Sequence, residues 1–314
     1  MAKVIHRHEG PFVQAYEKEF WLGPCRWMEF CPEEDDNIDM HLGMCTTAND
    51  LNPDRINVHL DLEMPNMWLS PKSRIIVEER ERGFDKIFSN NPKIVETRNK
   101  FLGEDKWEYS WFPVNETNIP TDFTKKYDIF FTCLWGDNPL MTKILRPILD
   151  KYKENSCVVA TDNRYDKQPN DPDHWEKLQL NAHSKITLGY NYQPIFGKYV
   201  SMAEELKSLG IIEYSIDPTF RYRHFSHHKS RNIDGFLSKS VVMIFKDAEN
   251  IIEDFWEEGK HFIYYETYDD LDEKVKYVLD HYSEFDNMRN DAFEFTKNNY
   301  TTQAFYNKFL RGKF

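Results

Sequence analysis

The chain has 314 residues, and its 40 Lys and Arg against 53 Asp and Glu leave a formal charge of −13. A single core stops growing near this length, which favours two domains. Apolar residues make up 40% of the sequence and aromatics 15%, which excludes a disordered chain. The acidity disfavours a protein that coats nucleic acid with a basic face.

The first ten residues alternate charged with apolar side chains and show no secretory core. The longest apolar run, Val241 to Phe245, falls far short of the roughly twenty residues of a membrane helix. A soluble, cytoplasmic protein with no membrane span is expected. The five cysteines, Cys25, Cys31, Cys45, Cys133 and Cys157, form no C-x-x-C pair, so neither a disulfide framework nor a thiolate zinc site is expected.

Runs rich in β-branched and aromatic residues predict strands at Lys3–Ile5, Ile38–Met44, Ile56–Leu62 and Lys86–Ser89. Further strands are predicted at Tyr127–Leu134, Cys157–Thr161, Lys185–Tyr190, Ile211–Ser215, Ser240–Phe245 and Phe262–Glu266. Helical spacing of apolar residues appears over Met141–Lys153, Met202–Leu209, Arg231–Ser238 and Asp270–His281. This alternation reads as an α/β fold with largely parallel sheets. Residues 113–126 are polar, turn-forming and contain two prolines, which marks a boundary. The expected organisation is a first Rossmann-like domain over 1–120, a second over 125–285, and a C-terminal helical segment over 286–314.

The most informative stretch is Ser226-His-His-Lys-Ser-Arg-Asn-Ile-Asp234, which leads through a short helix into the apolar strand at Val241–Phe245. Helix N-termini favour anions through unpaired N–H groups and the macrodipole. With His227, His228, Lys229 and Arg231 beside one, the loop suits a diphosphate, and Asp234 can accept hydrogen bonds from a ribose diol. The plain alternative is a solvated Arg231–Asp234 pair at i,i+3 with exposed loop histidines.

The segment from Lys246 to Leu279 resembles the C-terminal part of GT-B glycosyltransferases, particularly those grouped with spore-maturation and glycosyl-transferase-1-like proteins. The matching positions are Arg231, Asp234, Ser238, Val241–Phe245 and Gly259–Leu279, and Met288–Thr302 is similar to the family's terminal helix. Where the family carries glutamate this chain has Asp234. Tyr127–Phe131 is similar to the first strand of the family's second domain, but Thr132-Cys133 replaces the small-glycine pair that follows, leaving only Gly136.

The resemblance implies two Rossmann-like domains facing across a cleft, with the C-terminal helix returning to the first domain. It implies transfer of a sugar from a nucleotide-sugar donor, by default UDP-linked, to a saccharide or glycoconjugate acceptor. Donor contacts fall to His227, His228, Lys229, Arg231, Asp234, Thr132 and Lys143. The first domain would hold the acceptor, and Glu9, Asp61 and Glu63 lie in loops after predicted strands, where a general base for an inverting transfer belongs.

No cofactor or metal is expected. Asp171-Pro-Asp173 has the letters of a cation-binding pair but sits in turn composition, and the pairs His6/His8 and His227/His228 lack further ligands. Two rivals stay open. One is a phage-type DNA-base glycosyltransferase, against which the charge argues; the other is a non-catalytic nucleotide-sugar-binding scaffold of the same fold.

Overall fold

The computed structural model describes residues 3–6, 37–42, 51–61, 68–111, 113–114, 116–133, 138–160, 174–197 and 199–314. Two five-stranded parallel sheets dominate it. The first contains β1 (Lys3–His6), β2 (Ile38–Leu42), β3 (Ile56–Asp61), β4 (Lys86–Ser89) and β5 (Trp107–Tyr109), in that spatial order. Helices α1 (Pro71–Gly83) and α2 (Pro92–Leu102) flank β4 in sequence. The second helix is well punctuated. The Asn91 side chain accepts from the Ile94 N–H, Pro92 opens the helix, and Gly103 ends it at φ 72°, a left-handed geometry that suits glycine.

The second sheet has the order β13 (Ile263–Tyr265), β12 (Val241–Phe245), β8 (Ser184–Gly189), β6 (Tyr127–Cys133), β7 (Ser156–Ala160), every pair parallel. In chain order this is a 2-1-3-4-5 arrangement. The order reverses between β6 and β8, so their carboxyl ends flank a topological switch point, the place where open α/β sheets bind ligands. On β12, Val242 and Ile244 join one buried apolar cluster while Val241, Met243 and Phe245 join another. A strand buried on both faces needs an uninterrupted apolar run, which explains the longest one in the sequence.

Helices α3 (Arg146–Lys151) and α7 (Tyr268–Asp280) belong to one of these clusters. Against the other side lie α4 (His174–Ala182), α6 (Ser230–Leu237) and α8 (Asp286–Asn299). The last helix, α9 (Thr302–Phe309), returns to the first sheet: the rings of Phe305 and Phe309 both lie 5.3 Å from Phe88 on β4. Phe309 also lies 4.9 Å from Trp111.

Between β8 and α6 the chain builds a small antiparallel sheet, ordered β10 (Ser215–Ile216), β11 (Arg223–Ser226), β9 (Tyr192–Pro194), with α5 (Tyr199–Ser208). Its apolar residues Ile195, Ala203, Leu206, Ile212 and Phe225 share a core with Val77, Phe84 and Ile94 of the first sheet's helices and their flank. Buried Arg98 fastens this contact. It donates to Glu81 at 2.7 and 2.5 Å and to the Ile211 carbonyl at 3.2 Å.

The strand predicted at Ile211–Ser215 reduces to the two residues Ser215–Ile216. The Gly210 N–H donates to the Lys207 carbonyl and the Ile211 N–H to the Leu206 carbonyl, with Gly210 at φ 69°. This pattern closes α5 as a Schellman motif, so the β-branched pair Ile211-Ile212 serves a helix end and the shared core. The strands at Trp107–Tyr109, Tyr192–Pro194 and Arg223–Ser226 and the helices α1, α2 and α4 were not signalled by periodicity.

Candidate functional site

The loop entering α6 is buried, not exposed: His227 and His228 are 5% and 3% accessible, and Asp234, one turn in, is 2% accessible. Two glycines let α6 pack this closely. A Cβ on Gly235 would stand 2.8 Å from Val242 Cγ2, and one on Gly189 would stand 2.0 Å from Asn232 Oδ1. Asn191 then ties down the loop. Its side-chain oxygen accepts from Asn232 Nδ2 at 2.6 Å and its backbone carbonyl accepts from the His227 N–H at 2.9 Å. Lys229 stands at the N-cap of α6 without a side-chain cap, and its ammonium donates to Gln193 at 3.3 Å.

Arg231 lies over the switch point. Its guanidinium carbon is 4.6 Å from the ring of Tyr190, just past β8, and 5.8 Å from that of Phe131, on β6. Thr132 is the next residue of β6 and partly exposed. Lys143 follows on an exposed face of the π-helical turn Met141–Leu145, its ammonium 5.6 Å from the Phe220 ring.

Burial raises the Asp234 carboxyl to about 7, against the opposing pull of the Lys177 and Arg231 charges. Lys177, on α4, is therefore a third charged member of this group that the sequence pattern did not reveal.

Burial sets the charge of the two imidazoles. Burial holds His227 well below its usual range, reinforced by the Lys229 and Arg231 charges. Burial alone brings His228 down to about 3. Both rings are neutral at physiological pH, so positive charge at the loop comes from Lys229 and Arg231, and the histidines can offer only neutral hydrogen-bond donors.

His228 also bridges the two sheets. Its N–H donates to the Asn90 carbonyl at 3.3 Å, and Asn90 Nδ2 donates back to the His228 carbonyl at 3.1 Å. In its Nε2-protonated tautomer the ring donates to the Tyr109 hydroxyl at 2.5 Å, which in turn donates to Asp254 at 2.9 Å. Asn90 follows β4 and Tyr109 ends β5, so the carboxyl edge of the first sheet abuts the loop. Nearby, Lys93 of α2 donates to both Ser215 and Glu249 at 2.8 Å.

Among the three acceptor-side carboxylates, Asp61 ends β3 in register with Ser89 of β4, on this same edge. Glu9 and Glu63 lie outside the described residues, as do Gly136, Asp171 and Asp173. Among the described residues no group of three or more His, Cys, Asp or Glu is placed to hold a metal ion, and no helix is long and apolar enough to cross a membrane.

One further carboxyl of this region was missed. Asp247, two residues past β12, is 4% accessible and raised to about 7, chiefly by burial. The N–H groups of Glu249 and Asn250 bond its Oδ1 at 2.9 and 3.0 Å. Its signal was its position beyond a strand's carboxyl end, which points to many residues at once. The same holds for Tyr190 and Asn191.

Asp234 and Asp247 give a pH dependence of stability whose sign is fixed. A carboxyl raised from its ordinary value of 3.8 to about 7 keeps its proton longer in the folded chain than in the unfolded one. Its contribution is fully present below the unfolded value and is lost as pH rises through the folded one. Buried neutral His227 and His228 contribute the opposite slope below about pH 6.5, so the carboxyl is read by difference: the urea midpoint of Asp247→Asn relative to wild type is expected to rise between about pH 4 and about pH 7. A difference between the two chains that does not change over this window would contradict the burial assigned to Asp247.

No protein-family model matches the chain, and no curated protein matches it in sequence. Solved structures match its fold. TarM of S. aureus, in a complex with fondaparinux, α-GlcNAc-glycerol and UDP, superposes with a TM-score of 0.53 at 12% identity, covering 93% of this chain and 58% of TarM. Anabaena HepE in complex with UDP gives 0.53 at 7% identity, covering 97% of this chain and 90% of HepE. The HepE complex with UDP-glucose gives 0.53 at 9% identity, covering 97% and 89%. The chain spans a little over half the length of TarM, 57% in a second TarM structure. The fold is that of the GT-B glycosyltransferases. It carries the mixed α/β layers and parallel sheets of that class, with the C-terminal helix returned to the first sheet.

Proposed function

We propose that this protein is a glycosyltransferase that moves a hexosyl or pentosyl group from a nucleotide-sugar donor, UDP-linked by default, to a saccharide or glycoconjugate acceptor. The observation that carries this reading is Arg231, three residues before a buried carboxylate, lying over the β6/β8 switch point of a GT-B fold. HepE and TarM were each solved with UDP bound, which supports the choice of nucleotide.

In this reading the diphosphate lies at the N-terminus of α6. Charge grows on the leaving diphosphate as the glycosidic bond breaks, and Arg231, Lys229 and the first-turn N–H groups stabilise it. Thr132 approaches from the end of β6 and Lys143 from the helical turn that follows it. Neutral His227 and His228 contribute hydrogen bonding and shape without charge. Asp234 accepts from the ribose hydroxyls, and Lys177 helps keep it ionised. The carboxyl edge of the first sheet receives the acceptor, with Asp61, Glu9 or Glu63 removing its proton in an inverting transfer. The domains are 1–120 and 125–285, with 286–314 strapping the second back to the first. The chemistry proposed needs no cofactor or metal, and the site of action is the cytoplasm.

Titration calorimetry with a panel of nucleoside diphosphates, followed by assays of sugar-nucleotide hydrolysis, tests the reading. One nucleotide should bind and the matching sugar nucleotide should hydrolyse slowly. A chain that binds a nucleotide but turns over no sugar nucleotide is the non-catalytic scaffold, one that binds none has no donor site, and in either case the proposal falls.

A further inference from the structure

Three consecutive residues at the end of β8, Gly189 to Asn191, seat the start of α6. Asn232 occupies the space above Gly189, which has no Cβ to meet it. The Arg231 guanidinium carbon lies over the Tyr190 ring, 4.6 Å from its centroid. Asn191 bonds the Asn232 amide and the His227 backbone. Tyr190 is itself held: it is 6% accessible, its ring lies 5.2 Å from that of Tyr192, and it belongs to the apolar cluster beneath the second sheet.

A guanidinium on a long stem samples many orientations unless something fixes its plane, and stacking on an aromatic face does so. Stacking occupies the face of the group, whereas its N–H donors lie in the plane and point outward from the rim. A ring under Arg231 therefore orients the fork without competing for the donors that meet oxygen atoms.

We propose that Tyr190 is the positioning residue for Arg231, its ring face fixing the guanidinium plane in which the diphosphate of the donor is met. This rests on the donor-site reading above and adds to it the group that preorganises the phosphate contact. It also requires a ring but no hydroxyl at position 190, and arginine at 231, because an ammonium has no plane to stack.

The test uses the full chain and compares UDP with uridine, which lacks phosphate, by titration calorimetry. Tyr190→Phe should keep UDP affinity within about two-fold, and Tyr190→Leu should lose about ten-fold for UDP while leaving uridine unchanged. In an Arg231→Ala background, Tyr190→Leu should cause no further loss. Equal losses for UDP and uridine, or full UDP affinity in Tyr190→Leu, would overturn the positioning role while leaving the donor site standing. A wild-type chain that binds no UDP would overturn the UDP donor site and this role with it.

A ligand-free readout covers the case in which Tyr190→Leu does not fold. The Arg231 side-chain protons of the wild type should show an upfield ring-current shift by NMR, retained in Tyr190→Phe. Unshifted protons in the wild type would overturn the stacking, whatever the fate of the donor site.

Discussion

Arg231→Ala is expected to reduce UDP affinity by roughly a hundred-fold, since two charge-assisted hydrogen bonds at ~1.5 kcal/mol each account for about that factor. The melting temperature should move by no more than a few degrees. The side chain is only partly buried, and its aromatic neighbours Tyr190 and Phe131 belong to a cluster that does not depend on it. Calorimetry and thermal unfolding on the same preparation separate the two effects. Unchanged UDP affinity in a folded Arg231→Ala chain would remove the phosphate role of this residue. Intact nucleotide binding together with lost sugar transfer would move its role from binding to the transition state.

Arg98→Ala is expected to cost the fold about 3–5 kcal/mol, because it strands a carboxylate buried beside it. Arg98 and Glu81 are 2% and 4% accessible. Glu81 also accepts from Trp107 Nε1 at 2.9 Å, and the Arg98 guanidinium lies 4.6 Å from the Trp68 ring. The loss includes the bond to the Ile211 carbonyl, so the three-stranded sheet should loosen from α1 and α2 along with the local core. Urea denaturation gives the magnitude, and hydrogen exchange over residues 192–226 gives the location. Pairing Arg98→Met with Glu81→Leu should recover most of the stability, because an apolar pair leaves no stranded charge. A single variant within about 1 kcal/mol of wild type would show that the pair is solvated in solution.

Both variants bear on the way the two sheets are joined. Asn90 and His228 exchange hydrogen bonds, Tyr109 reaches Asp254, and Lys93 reaches Glu249. The loop at 227–229 is thus braced from the first sheet on one side and by Asn191 on the other. A diphosphate contact supported in this way loses little freedom on binding.

Much of this architecture was legible in the residues. Val241–Phe245 could only be a strand buried on both faces, and Lys86–Ser89 was read to the residue. Arg231 and Asp234 were legible as a pair because three residues is nearly one helical turn, and the loop composition marked the helix start. Less legible were α1 and α2, whose charged residues Arg80 and Arg98 are buried where periodicity expects apolar ones. The burial of the imidazoles at 227 and 228 was not legible for a related reason. Composition gives a residue's intrinsic pKa, and burial, which a sequence does not display, decides whether it keeps it.

By itself the sequence determined the alternation of strands and helices, the cationic entry to α6 and the carboxylate one turn in, since these are local and follow from spacing and side-chain chemistry. Tertiary structure alone decided strand order, and with it the reversal between β6 and β8 over which Arg231 comes to rest. It also decided that Lys177, Tyr190, Asn191, Asn90 and Tyr109 converge on one loop. These residues come from four separate segments, and only long-range pairing, to which short-range pattern is blind, brings them within reach of each other.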